Sequence, residues 1–137
     1  MKVSSGVIIT DGSSVLGCIP FGRSKKTENF LDIPKGGIEK SESPIDAAIR
    51  ECWEETGIKL EKSDLDYKGV YDYKSYKKLH VFLCKMPIPE ISTLKCISNV
   101  EIYGKEFPEM IGYKIVSYDD IEKYFYKDLS KIIFEHI

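Results

Sequence analysis

Between Ser43 and Gly57 the chain announces a helix at both of its ends, and that helix constrains what can surround it. Ser43 suits an N-cap, Pro44 the first helical position, and Asp46 a site where the helix dipole favours negative charge. Gly57 is a natural residue to stop the helix. Ile45, Ala48, Ile49 and Cys52 form an apolar stripe at helical spacing and predict a face that packs on a sheet. Glu51, Glu54 and Glu55 then fall at i, i+3 and i+4, side by side. Like charges so placed oppose the helix by about a few tenths of a kcal/mol per pair. A solubility face would interleave lysine, and the chain has 20 Lys and Arg to draw on. A positive charge is expected among these carboxylates.

The flanks read as strands. Gly6 to Pro20 holds two β-rich runs around Asp11-Gly12, a strong hairpin signal. Gly22 to Asn29 is polar and basic and reads as a loop, and Phe30-Leu31-Asp32-Ile33 as a strand entering the Pro34 turn. "YKGVYDY" and "LHVFLCKM" predict two strands joined at Lys74 to Lys77. Pro87 and Pro89 place a loop after them. Cys96 to Tyr103 is a further candidate strand, "YKIVSY" another, and from Asp119 onward apolar spacing predicts a helix. Strands before, between and after two helical segments indicate an α/β sandwich.

At 137 residues the chain reads as one domain, residues 1–137, with an apolar fraction of 42% and a charged fraction of 31% typical of soluble globular proteins. A net charge of −2 argues against broad, non-specific nucleic-acid binding. Cys18, Cys52, Cys84 and Cys96 are widely spaced and make no zinc pattern with His80 or His136. Free thiols of this kind suggest a reducing compartment, although four also allow two bridges. No apolar run is long enough to span a membrane, and no secretory leader is evident, so the cytoplasm is the expected location.

Gly36, Glu42 and Arg50-Glu51-Cys52-x-Glu54-Glu55-x-Gly57-Ile58 together resemble the Nudix box, G-x5-E-x7-R-E-U-x-E-E-x-G-U. All nine specified positions are filled, Cys52 standing where an aliphatic residue is usual. With average residue usage a chance match is on the order of one in a billion per start position. The resemblance implies the Nudix fold, an α/β/α sandwich with a mixed sheet, and hydrolysis of nucleoside diphosphates linked to another group. It assigns Glu51, Glu54, Glu55 and the Gly36 carbonyl to metal binding, and Arg50 and Glu42 to orienting those ligands. The cofactor implied is Mg2+, with Mn2+ an alternative; magnesium takes oxygen ligands from carboxylates and phosphates.

The family takes its general base from the box or from a loop ahead of the last strand. Here Glu109 is preferred, with Glu106 and Glu101 as alternatives. Lys35, in "PKGG", resembles hydrolases of dinucleoside polyphosphates, which also tend to carry a base-stacking tyrosine at the position of Tyr76. Arg23, Lys25 and Lys26 in the early loop, with Lys74, Lys77 and Lys78 in the turn, would meet a long polyphosphate. Leu31 replaces the tryptophan usual before the box, and Phe30 beside it offers an aromatic surface instead. His80 and Trp53 read as packing residues.

The reading is a magnesium-dependent pyrophosphohydrolase of (di)nucleoside polyphosphates such as diadenosine tetraphosphate, its partner a small nucleotide. Nucleoside triphosphate pyrophosphatase, ADP-ribose hydrolase and RNA 5′-pyrophosphohydrolase are the alternatives within enzymes, with the RNA 5′ end less favoured. A catalytically inactive ligand sensor is the alternative outside them, although a sensor has no need of three adjacent carboxylates. Oligomeric state is not encoded in any feature above.

Overall fold

The computed structural model describes residues 2–22, 30–74 and 76–137. Strands β1 (Lys2–Thr10) and β2 (Ser14–Pro20) meet at the Asp11-Gly12 turn. There the Asp11 carboxylate accepts the Ser13 and Ser14 N–H groups, and Gly12 takes a φ of 100°. Strand β3 (Lys35–Gly37) is followed by helix α1 (Pro44–Thr56), and β4 (Asp66–Asp72) and β5 (Lys77–Lys85) form the second predicted hairpin. Strands β6 (Asn99–Ile102), β7 (Lys105–Pro108) and β8 (Met110–Ser117) lead into helices α2 (Ile121–Tyr124) and α3 (Lys127–His136).

The main sheet runs β4-β5-β1-β2-β8. It is mixed, since β1 and β5 pair in parallel while its other pairs are antiparallel. Alternation along β1 divides the core between two faces. Val7 and Ile9 pack with Leu16, Ala48 and Cys52 under α1, whereas Ile8 packs with Val15, Phe125, Leu129 and Ile133 under α2 and α3. The α/β/α sandwich with a mixed sheet is therefore observed. Strands β1 and β2 pair at Thr10 and Val15, beside the turn, and the N-terminal half of β1 pairs with β3. This lays Lys35, Gly36 and Gly37 against Gly6, Ser5 and Ser4, beneath α1. The helix docks there through the Ser5 hydroxyl, which donates to the Pro44 carbonyl at 2.6 Å.

Three expectations need correction. The C-terminal helix is broken: Phe125 is fully buried and extended, bridging Leu31, while the Leu31 N–H donates to the Tyr124 carbonyl. The Ser130 hydroxyl accommodates the break by donating toward the Phe125 and Ile121 carbonyls. The run at Phe30 to Ile33 is not a strand, because Leu31 bridges Phe125 and Asp32 bridges Cys18, two different partners. The candidate strand from Cys96 starts only at Asn99, and the segment read as a loop supplies its partner β7, the two forming a separate hairpin. The four cysteines are free. Among the described residues no helix is long and apolar enough to cross a membrane.

Candidate active site

Helix α1 is capped as its sequence predicts. Ser43 Oγ accepts the Asp46 N–H at 3.2 Å, and Gly57, at a φ of 79°, donates its N–H to the Trp53 carbonyl. Its inward face holds Ala47, Ala48, Glu51, Cys52 and Glu55, so two of the three clustered glutamates point at the sheet. Glu51 is 8% exposed and Glu55 1%. This is no solvated acidic face. Burial pushes the Glu55 carboxyl up to about 10, and the charges of Glu51, Glu109 and Asp32 add to that rise. The Lys35 backbone N–H donates to Glu55 Oε1 at 3.1 Å and opposes it. Burial raises Glu51 as well, with Arg50 pulling the other way.

The positive charge expected among the glutamates is Arg50. Its Nε and Nη2 grip Glu42 in a fork, at 2.8 and 2.9 Å, and Nη2 also donates to the Gly37 carbonyl at 3.0 Å. Nη1 donates to Glu51 Oε1 at 2.7 Å and to Glu54 Oε2 at 3.3 Å. The bond from Arg50 holds the Glu42 carboxyl below its ordinary range. One guanidinium thus ties the helix to the glycine turn and aims two carboxylates. A Cβ at Gly36 would overlap the Glu51 carboxylate, so that carboxylate keeps this position only beside a glycine.

The last turn of α1 leaves carbonyls that need donors, and distant segments supply them. The Glu54 carbonyl accepts from the Ile97 N–H at 2.7 Å, the Thr56 carbonyl from the Lys95 N–H, and the Glu55 carbonyl from the Tyr113 hydroxyl at 2.6 Å. The Glu109 N–H then donates to the Ser98 carbonyl, and the Phe21 N–H to the Glu109 carbonyl. Backbone bonds therefore connect the glutamate helix, the β6–β7 hairpin and Glu109. No local pattern in the sequence marks Lys95, Ile97 or Tyr113 for this work, since each acts on residues dozens of positions away.

These elements enclose a cleft of about 480 Å3. Lys35, Gly36, Glu51, Glu55 and Glu109 line it, as do Lys2 and Asp32, which the sequence reading did not single out. Asp32 is 7% exposed and holds Lys35 Nζ at 3.2 Å. Arg50 and Glu54 stand behind the lining, joined to it through Glu51. Tyr76 and Lys78 are not brought into the cleft. Tyr76 is 83% exposed in the β4–β5 turn, its carbonyl accepting the Lys2 N–H, and Lys78 pairs with Asp72. Phe30 is not brought into the cleft either, being buried against Tyr124. Glu106 and Glu101 face each other across the exposed β6–β7 hairpin. Arg23, Lys25 and Lys26 lie outside the described residues.

The donor chemistry suits a hard divalent cation: the carboxylates of Asp32, Glu51, Glu55 and Glu109 line one cleft, all oxygen donors, and burial makes that of Glu55 costly to ionise. Among the described residues no three acidic, histidine or cysteine side chains converge as a finished cage. Arg50 engages Glu51 and Glu54, so those carboxylates would have to turn from the guanidinium to converge on an ion.

A family model described as the NUDIX domain matches residues 2–135. The chain belongs to the NUDIX domain family. This NUDIX chain is 37% identical over 90 residues to an uncharacterised 17.7 kDa protein from the e-segB intergenic region of Enterobacteria phage T4. That match covers 62% of this chain and spans 60% of the phage protein's length. An RNA pyrophosphohydrolase of Nitratiruptor sp. is 33% identical over 114 residues, 73% of each chain. One from Brucella anthropi is 63% identical over 41 residues, 30% of this chain and 24% of that one. Among solved structures, a C. elegans Ap4A hydrolase binary complex superposes with a TM-score of 0.67 at 20% identity, covering 98% of this chain and 94% of that one. A MutT NUDIX hydrolase from Burkholderia pseudomallei gives 0.71 at 18% identity, over 99% and 97%.

Proposed function

We propose that this NUDIX chain is a divalent-cation-dependent pyrophosphohydrolase that cleaves a phosphoanhydride bond in nucleoside polyphosphates. The observation that carries this is the buried pair Glu51 and Glu55, open to a cleft and held at the glycine turn, Glu51 by Arg50 and Glu55 by the Lys35 N–H. Glu51, Glu54, Glu55 and the Gly36 carbonyl would hold the ion, Mg2+ or Mn2+. When bound, it neutralises phosphate charge and lowers the pKa of the attacking water. Glu109 takes that water's proton as the water attacks phosphorus and the bridging P–O bond breaks. Lys35, steadied by Asp32, and Lys2 meet the phosphate oxygens as point charges. Arg50 and Glu42 hold the ligand helix and the glycine turn together while this happens.

Two substrate readings stand. Lys35 beside the box supports dinucleoside polyphosphates such as diadenosine tetraphosphate. The 33% identity to an RNA pyrophosphohydrolase over 73% of both chains supports a 5′-triphosphorylated RNA end. One panel tests both: diadenosine tetraphosphate, a triphosphorylated oligoribonucleotide, nucleoside triphosphates and ADP-ribose, each with Mg2+, with Mn2+ and with excess chelator. Hydrolysis of one of the first two, abolished by chelator, is expected. Undiminished turnover in chelator would overturn the metal-dependent reading, and no turnover of any substrate would overturn the enzyme reading.

A further inference from the structure

The cleft that holds the carboxylates also has an apolar wall, which the phosphate chemistry does not use. Pro20, Phe21, Val100 and Met110 line it, and Asn99 adds an amide. Phe21 stacks on Phe107 with ring centroids 4.5 Å apart and planes 18° from parallel. Neither ring belongs to either hydrophobic core of the sandwich. Phe107 comes from the β6–β7 hairpin, where it lies directly across from Val100, so the two share a face. The flanking residues Glu101, Tyr103, Lys105 and Glu106 are all exposed. Val100 and Phe107 are the hairpin's half-buried apolar residues, one turned to the cleft and one to Phe21, while Ile102 and Tyr103 stay exposed.

Phe21 lines the cleft whereas Phe107 does not, which makes Phe107 the backing of the Phe21 ring. The Phe21 N–H donates to the Glu109 backbone carbonyl, so the residue bearing the ring and the residue bearing a carboxylate of the charged wall are joined by one backbone bond. A flat apolar ring, an amide and a charged wall in one cleft match the three parts of a nucleotide. We infer that Phe21, backed by Phe107, is the stacking platform for the substrate's nucleobase, with Asn99 at the edge of that base. Every base has a π face, so such a platform favours nucleotides over other polyphosphates without selecting one base strongly.

The inference rests on the pyrophosphohydrolase reading for its substrate, and its test is chosen to separate the two. Phe107→Leu keeps apolar volume but removes the backing ring, and Phe21→Leu removes the platform. For each, kcat/KM is measured on diadenosine tetraphosphate and on inorganic tripolyphosphate, which has no base. The preference for the base-bearing substrate is expected to fall about 10-fold, through KM, in Phe21→Leu and less in Phe107→Leu. Phe21→Tyr should restore it. Binding is read independently from the quenching of 2-aminopurine riboside triphosphate fluorescence, expected with the wild-type chain and lost in Phe21→Leu. If the wild-type chain hydrolyses nothing yet quenches the probe through Phe21, the enzyme reading fails and the platform stands. Equal losses on both substrates, or undiminished quenching in Phe21→Leu, would overturn the platform.

Discussion

At Gly36 the Glu51 carboxylate occupies the space a side chain would need, so this residue sets the distance between helix and turn. Gly36→Ala should lower kcat by about 10²-fold, the scale on which displacement of a reacting group by about 1 Å is felt. It should also weaken Mn2+ binding, read by titration calorimetry. Near-normal kcat would show that Glu51 need not approach the turn. Glu109→Gln tests the proton acceptor in the same way: kcat should fall about 10²–10⁴-fold while metal binding persists. A larger defect in Glu106→Gln would move the role to the hairpin. The box residues are legible in sequence because their spacing lies within one turn and one helix. Asp32 and Lys2 are not, since neither belongs to a pattern; the β1–β3 pairing brings the strand of Lys2 beside the carboxylates, and the bridge to Cys18 positions Asp32.

Helix α1 is legible as an element because its start and stop are local chemistry, a serine cap and a glycine in the left-handed region. What holds its final turn is not local. Tyr113 on β8 donates to the Glu55 carbonyl at 2.6 Å, close to the carboxylates. Tyr113→Phe leaves that carbonyl without its donor, at a cost of about 1–3 kcal/mol in stability. A merely structural role would stop there. If the bond also aims Glu55, Mn2+ affinity should weaken several-fold at temperatures where the variant is fully folded, and unchanged affinity would limit Tyr113 to stability. The broken C-terminal helix and the β6–β7 hairpin escaped the sequence for a related reason. Apolar spacing from Ile121 to Ile133 is the same whether the helix is continuous or interrupted. The interruption is decided by Phe125 and Tyr124 pairing with Leu31, more than 90 residues earlier.

Across the whole molecule the site makes stability depend on pH in two opposed ways. Glu42, held low by Arg50, contributes stability that is present above the unfolded carboxylate value and lost as pH falls through its depressed value. Glu55 has the opposite sign. Its folded value of about 10 lies above the unfolded 4.5, so between the two the native state binds a proton the unfolded chain does not. Stability therefore falls as pH rises through that window, and Glu51, also raised, adds to the fall. His80, whose value is lowered by burial, gains stability as pH rises near 6.5 and works against them there. The clean interval is consequently about pH 7 to 8, because above it the thiols of Cys18, Cys52 and Cys84, all raised by burial, add a fall of the same sign. In excess chelator the melting temperature should drop steadily across it. Mg2+ should flatten the slope, because an ion among the carboxylates favours their ionised form. Glu55→Gln should flatten it without any metal, and should melt higher than the wild-type chain at pH 9 in chelator. A slope unchanged in Glu55→Gln would show that the burial of this carboxylate is not what opposes the metal-free fold, and would remove the physical reason for placing a cation beside it.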